Sequence, residues 1–137
     1  MNNIFENNIK ILIVEDDELN IKMVSSFLKT KFEVEAARSG EEALKKLLDY
    51  KYDIILMDIG LKKGMNGLDL TKELRRMSDY KETPIIALTA YALSGDKERI
   101  IDAGCSHYLS KPFTKSQLLN LLKAISEDII KNNDTLS

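Results

Sequence analysis

The chain has 137 residues, the size of a single domain with a substantial hydrophobic core. Its 20 basic and 22 acidic residues give a net charge of −2, and no basic stripe favours contact with nucleic acid. The apolar runs are too short to insert in a membrane, the N-terminus lacks a secretory pattern, and the single cysteine, Cys105, indicates a cytoplasmic protein.

The first half of the chain alternates between strand and helix patterns. Residues 9–14 (IKILIV) are typical of a buried strand, residues 32–37 (FEVEAA) of a strand with one wet face, and residues 53–57 (DIILM) of another buried strand. Ser39, with Glu42 three residues later, predicts the start of the second helix. We expect the two intervening helices to bury Leu19, Met23, Val24, Phe27 and Leu28 in the first, and Ala43, Leu44, Leu47 and Leu48 in the second.

The second half repeats this alternation. A loop bracketed by Gly64 and Gly67 precedes a third helix, residues 84–89 (PIIALT) form a fourth strand, and a fourth helix covers about residues 95–103. The short strand SHYLS ends before Lys111-Pro112, and a fifth helix follows. We place the domain at residues 8–128, between polar, frayed termini at residues 1–7 and 129–137. The inward residues of these helices are predicted to be Leu70, Leu74 and Met77 in the third, and Leu118, Leu122, Ile125 and Ile129 in the fifth.

Five strands alternating with five helices predict an α/β fold, in which a parallel sheet is covered on both faces. Right-handed crossovers favour the doubly wound, flavodoxin-like order 2-1-3-4-5. The charged alternation of FEVEAA fits an edge strand, which is where this order places the second strand.

Polar side chains follow four of the five predicted strands. In the order 2-1-3-4-5 the first and third strands are neighbours, so Asp16 and Asp58 would face each other in one crevice. Two carboxylates ~5 Å apart repel by roughly 3 kcal/mol at an effective dielectric near 20, which protonation or a cation would relieve. Oxygen ligands without histidine or cysteine point to Mg²⁺. The residues at the strand ends are Glu15-Asp16-Asp17, Asp58, Thr89-Ala90 and Lys111.

On these residues the chain resembles the receiver domains of two-component response regulators, over residues 8–128. The segment GDKERIIDAGCSHYLSKPF is most similar to single-domain receivers and to receivers of hybrid sensor kinases. The resemblance implies that Asp58 is the phosphoacceptor and that Thr89 and Lys111 contact the phosphoryl group. It implies Mg²⁺ as cofactor, a switch made of Thr89 and Tyr108, and a cis Lys111-Pro112 bond. The implied metal ligands are Glu15 (directly or through water), Asp16, Asp58 and the carbonyl of Gly60.

The same resemblance implies a function in phosphorelay signalling. A histidine kinase or a histidine phosphotransfer protein would donate the phosphoryl group, and a downstream protein would read the conformational change. The domain would assist its own phosphotransfer and slow dephosphorylation, with no separate substrate. Leu19, Asn20 and Met23 match the family's kinase-docking positions, although we interpret Met23 as core. The chain ends soon after the fifth helix, so we expect output through a protein contact or through onward phosphotransfer to another histidine.

The loop after Asp58 departs from the family pattern. Residues 60–67 (GLKKGMNG) lack the usual proline, and Gly67 lies one residue later than the usual glycine. This departure leaves open how rigid the loop is and how a kinase docks, but it does not affect the assignment of Asp58 as the acceptor. Lys62 and Lys63 are solvated charges or steer an acidic partner. Gly60 and Tyr91 occupy positions that tune the lifetime of the phosphoryl group in the family.

Three rival functions are weighed against this one. A Mg²⁺-dependent hydrolase with an aspartyl intermediate typically has a second aspartate where this chain has Gly60. A flavin-binding protein needs a phosphate loop where this chain has acids, and a degenerate receiver would not keep the acids, Thr89 and Lys111. Whether the chain is a stand-alone regulator or part of a hybrid kinase stays open.

The remaining polar residues have plain structural interpretations: Asp17 caps a helix, His107 lies on a surface strand, Tyr108 is half-buried and Cys105 fills the core.

Overall fold

The structure is a computed structural model that describes residues 8–61, 64–90 and 96–136, with side chains to residue 132. Tyr91, Lys62, Lys63 and the N-terminal tail 1–7 lie outside the described residues. The predicted alternation of strands and helices is confirmed. The elements are β1 (Lys10–Val14), α1 (Glu18–Leu28), β2 (Glu33–Ala37), α2 (Gly40–Asp49), β3 (Ile54–Asp58), α3 (Gly67–Arg75), β4 (Ile85–Thr89), α4 (Asp96–Ala103), β5 (His107–Ser110) and α5 (Lys115–Leu136).

The five strands form one parallel sheet in the order β2-β1-β3-β4-β5, as predicted. The register aligns the carboxyl ends of the strands, because Val14 pairs with Met57, Asp58 with Leu88, and Thr89 with Ser110. The residues that end or follow β1, β3, β4 and β5 therefore lie along a single edge of the sheet.

The core consists of two apolar layers, one on each face of the sheet. Successive strand residues point to opposite faces, so Leu12 and Val14 join one layer while Ile11 and Ile13 join the other. This explains why β1 is an uninterrupted apolar run. The first layer packs the sheet against α2, α3 and α4, and the second packs it against α1 and α5.

Side-chain caps fix the starts of three helices. Asp17 Oδ1 accepts a hydrogen bond from Leu19 N at 3.1 Å, and Ser39 Oγ accepts one from Glu42 N at 3.0 Å. Both caps were predicted. Asn66 caps α3 by accepting from Asp69 N at 2.9 Å, which the sequence analysis did not identify.

The buried faces of α1 and α2 differ from the prediction. Met23 is 41% exposed, so its interpretation as core was wrong, and Leu19 and Leu48 are 76% and 67% exposed. In α1 the inward residues are Ile21, Val24 and Leu28. Both helices carry more apolar residues than one face of the sheet can cover, so packing against the sheet selects which of them are buried.

The fifth helix extends beyond the predicted end of the domain. Its backbone is helical through Leu136, where the sequence predicts a frayed tail. Just past the predicted end at residue 128, Ile129 and Ile130 pack partly against the core layer beside α1, which favours continuation of the helix there. Met77, predicted inside α3, follows the end of that helix at Arg75 and still packs partly against the core. No helix within the described residues is both long and apolar enough to span a bilayer.

Candidate functional site

The carboxyl edge of the sheet forms a crevice of about 410 Å³. Asp58 and Thr89 are the last residues of β3 and β4, Glu15 and Asp16 follow β1, and Lys111 follows β5. All five residues line the crevice, together with Gly60. The side chains predicted to converge at the strand ends are therefore brought together.

Three acids form the floor of this crevice. Oxygen atoms of Glu15, Asp16 and Asp58 lie within 4.8 Å of one another. Glu15 and Asp58 are only 3% and 6% exposed, and Asp16 is half-buried. Glu15 is also held by the backbone, because its Oε2 accepts a hydrogen bond from Asp17 N at 3.2 Å. This concentration of negative charge in a poorly solvated place requires compensation.

Lys111 supplies part of that compensation. Its Nζ lies 3.3 Å from Asp58 Oδ1 and 3.8 Å from Glu15 Oε1. The Lys111-Pro112 peptide bond is cis, as the resemblance implied. Lys111 N also donates to the carbonyl of Thr89 at 2.7 Å, so the ends of β4 and β5 are tied to each other beside the acids. Thr89 itself is 2% exposed.

Lys111 Nζ contacts two of the three carboxylates, those of Asp58 and Glu15. Burial, and then the hydrogen bond and charge of the neighbouring Asp58, raise the pKa of Glu15 to about 7. The cluster therefore takes up a proton readily near neutral pH, or a cation in its place. The donors are all carboxylate oxygens, which are the ligands that Mg²⁺ prefers, so the residues present fit this metal.

Gly60 is linked directly to the central acid. Its backbone N–H donates to Asp58 Oδ1 at 2.9 Å, the same oxygen that faces Lys111. Asp58 Oδ1 is thus held from two sides. The role of the Gly60 carbonyl as a metal ligand stays a prediction.

The other residues singled out in the sequence lie on β5 or just before it. Tyr108 is half-buried on β5, with Lys97 Nζ 5.6 Å from the centre of its ring. His107 is half-buried, and burial lowers its pKa. Cys105 is buried at 6% exposure, and burial raises the pKa of its thiol.

Two residues of α4 that the sequence analysis missed also line the crevice. Asp96 and Arg99 contribute to its wall and form an ion pair of 2.9 Å between Asp96 Oδ1 and Arg99 Nη1. The i,i+3 spacing of opposite charges at the start of a helix that follows β4 was the available signal.

An apolar cavity of about 330 Å³ adjoins the crevice and shares Glu15, Asn20, Ala90 and Lys111 with it. It lies between α1 and the connection from β5 to α5. Its apolar lining comes from Met23, Val24, Leu88, Ala90, Pro112 and Phe113. The exposed side chain of Met23 thus stands at the border of a polar and an apolar depression.

Comparison with known proteins agrees with this architecture. The family described as "Response regulator receiver domain" matches residues 11–123. The "Polar-differentiation response regulator DivK" of Brucella ovis is 39% identical over 119 residues, which span 86% of this chain and 96% of that protein. The DivK of Brucella anthropi is 38% identical with the same coverage.

Solved structures show the same likeness. The chemotaxis response regulator CheY4 of Vibrio cholerae superposes with a TM-score of 0.81 at 35% identity, covering 85% of this chain and 98% of CheY4. The receiver domain of the sensor histidine kinase PA1611 from Pseudomonas aeruginosa, solved "with magnesium ion coordinated in the active site cleft", gives 0.81 and 35%, covering 88% and 98%. The chain belongs to the response regulator receiver domain family.

Proposed function

We propose that this receiver domain accepts a phosphoryl group on Asp58, in a Mg²⁺-dependent reaction, from a histidine kinase or a histidine phosphotransfer protein. The observation that carries the proposal is the placement of Asp58 between one ammonium group and two further carboxylates at the carboxyl edge of the sheet. A lone aspartate at the end of a strand has many structural uses, whereas this combination has no evident one.

In the proposed reaction a carboxylate oxygen of Asp58 attacks the phosphorus of a phosphohistidine. The O–P bond forms, the N–P bond breaks, and the imidazole nitrogen keeps the electron pair and takes a proton from solvent. The Nζ of Lys111 balances negative charge on the transferring oxygens, and the hydroxyl of Thr89 donates a hydrogen bond to one of them. Catalysis then consists mainly of positioning and electrostatics.

The metal would be held by the carboxylates of Glu15, Asp16 and Asp58 and by the Gly60 carbonyl. When bound, Mg²⁺ supplies positive charge that stabilises both the acid cluster and the phosphoryl oxygens. The magnesium in the PA1611 receiver and the all-oxygen donor set of this chain support the assignment.

The partner that donates the phosphoryl group is proposed to dock on α1. Leu19 and Met23 are large apolar side chains that remain exposed on this helix. Met23 and Asn20 also line the apolar cavity beside the crevice, so a partner seated there would reach Asp58. A helix of the donor with an apolar face would suit this surface.

Output is proposed to pass through protein contact. Thr89 would move toward the phosphoryl group, and Tyr108 would turn inward, changing the surface of α4, β5 and α5. We propose no separate substrate, only assisted phosphotransfer and slow loss of the group. Cys105 is buried and is the single cysteine of the sequence, so it has no partner for an internal disulfide, which supports a cytoplasmic location.

The test is mass spectrometry of the protein after treatment with acetyl phosphate and Mg²⁺. One added phosphoryl group that maps to Asp58 supports the proposal, provided that it does not form when EDTA is present during the treatment and does not form in Asp58→Asn. Rapid release of phosphate without a stable adduct would favour the hydrolase instead. No adduct and no turnover would leave a degenerate receiver that only binds partners.

A further inference from the structure

Residues at both ends of the loop that follows Asp58 contact this aspartate. At its start, Gly60 N donates to Asp58 Oδ1 at 2.9 Å. At its end, a Cβ added to Gly67 would lie 2.6 Å from the carbonyl oxygen of Asp58, a distance that only glycine permits. Gly60 and Gly67 therefore both contact Asp58 directly.

Farther along the same loop, Gly64 and Met65 contact the first turn of α2. Met65 N donates to Glu41 Oε2 at 3.2 Å. Gly64 has a positive φ of 71°, and a Cβ there would meet the two carboxylate oxygens of Glu41 at 2.7 and 2.8 Å. Gly40 is buried, and a Cβ on it would lie 2.8 Å from the carbonyl oxygen of Met65.

These contacts join the loop to a rigid element. The Ser39 cap fixes the start of α2, with Oγ accepting from Glu42 N at 3.0 Å, so Gly40 and Glu41 are held in a defined helical turn. The contacts with α2 therefore fix Gly64 and Met65 relative to this helical turn.

We propose that Gly40 and Glu41 are positioning residues for the site: the first turn of α2 fixes Gly64 and Met65, which lead into Gly67 against the Asp58 carbonyl, so that Asp58, the acceptor and a proposed metal ligand, is preorganised. The proposal rests on the function given above. Gly40 provides the space in which the Met65 backbone approaches the helix, and Glu41 holds the Met65 amide. Without these contacts, Gly64 and Met65 would be fixed in place only when the cation binds, and this cost weakens the measured affinity.

Four variants separate this role from plain stability. Glu41→Ala removes the acceptor of the Met65 amide, while Glu41→Gln keeps an oxygen in its place. Gly40→Ala displaces the Met65 carbonyl. Glu42→Gln is the matched control, because it removes the neighbouring charge of the same helical turn and keeps an oxygen that can accept from Arg38 N, as Glu42 Oε2 does at 3.2 Å.

Two measurements are made on each folded variant: Mg²⁺ affinity by calorimetric titration with the metal alone, and hydrogen exchange at the Met65 amide. We expect Glu41→Ala and Gly40→Ala to bind Mg²⁺ about three- to tenfold more weakly and to exchange faster, consistent with loss of one hydrogen bond. Glu41→Gln and Glu42→Gln should match the wild type. Acetyl phosphate labelling should show the same ranking, with a raised KM for Mg²⁺ and a nearly unchanged maximal rate.

Wild-type affinity in both Glu41→Ala and Gly40→Ala would overturn the proposal, as would an equal loss in Glu42→Gln, which would indicate a general effect of charge. If Gly40→Ala does not fold, the comparison of Glu41→Ala with Glu41→Gln decides alone. A wild type that binds Mg²⁺ but takes no phosphoryl group would refute the proposed function, while the metal titrations would still decide the role of the loop contacts.

Discussion

Lys111 Nζ lies 3.3 Å from Asp58 Oδ1 and reaches Glu15 Oε1 at 3.8 Å, so a single ammonium group faces two buried carboxylates. Asp58 ends β3 and Lys111 follows β5, and β4 lies between these two strands. The contact therefore forms only when the three strands are assembled in this order. The same ammonium group that stabilises the acids also competes with any cation they bind. These two effects can be separated by experiment.

Replacing Lys111 with methionine keeps the length of the side chain and removes its charge. We expect phosphorylation by acetyl phosphate at saturating Mg²⁺ to slow by about 100-fold, since a preorganised positive group is lost from the transferring oxygens. Mg²⁺ should bind at least as tightly as in the wild type, because a repelling charge is gone. Single-turnover labelling and metal titration measure the two quantities. Unchanged labelling would contradict the role given to Lys111.

The raised pKa of Glu15 predicts a pH-dependent stability of the metal-free protein. The folded pKa of about 7 lies above the ordinary value of 4.5, so the fold holds the proton more tightly than the unfolded chain does. The resulting stability is fully present below pH 4.5 and is lost as pH rises through 7. By the usual 1.36 kcal/mol per pKa unit, the loss is at most about 3 kcal/mol.

The measurement is urea unfolding of the wild type and Glu15→Gln between pH 5 and pH 8 in EDTA. Relative to this variant, the wild type should lose free energy of unfolding as pH rises, and excess Mg²⁺ should restore most of it at pH 8. Glu33→Gln, at an exposed position on β2, serves as the control. Parallel curves for the wild type and Glu15→Gln would show that Glu15 keeps its ordinary pKa.

The sheet order and the meeting of the acids with Lys111 were predictable, because apolar runs ending in polar residues specify both strands and their carboxyl ends. Parallel strands place such ends together, so Asp16 and Asp58 required no knowledge of side-chain detail. Ser39 and Asp17 were equally readable, since helix caps depend on local sequence.

Other features depend on tertiary packing and could not be predicted from the sequence. Met23 and Ile21 are both apolar residues of α1, and only the sheet surface determines which of them is buried. The contact between Glu41 and the Met65 amide joins two segments whose distance in space no local pattern specifies. The position of Arg99 in the lining of the crevice likewise depends on tertiary packing, which no local pattern specifies.

The exposed apolar residues of α1 predict a separable docking defect. Leu19→Arg and Met23→Arg should leave labelling by acetyl phosphate within about twofold of the wild type, because neither residue is among the acids or Lys111. Transfer from a phosphorylated partner kinase should fall by about tenfold or more, as expected when a charge enters an apolar contact. Leu48→Arg, on the exposed face of α2, is the matched control. Equal transfer to all three variants would place the docking surface elsewhere.

Thr89 is predicted to couple the phosphoryl group to Tyr108. The two residues lie on neighbouring strands, where Thr89 pairs with Ser110 and Ala87 with Tyr108. Thr89→Ala should still accept a phosphoryl group, with a rate reduced by about tenfold through loss of one hydrogen bond to a charged group. Thr89→Ser keeps the hydroxyl and should behave as the wild type. Ring resonances of Tyr108, followed by NMR before and after labelling, should shift in the wild type and in Thr89→Ser. They should stay in place in labelled Thr89→Ala, and a full shift in that variant would show that Tyr108 responds by another route.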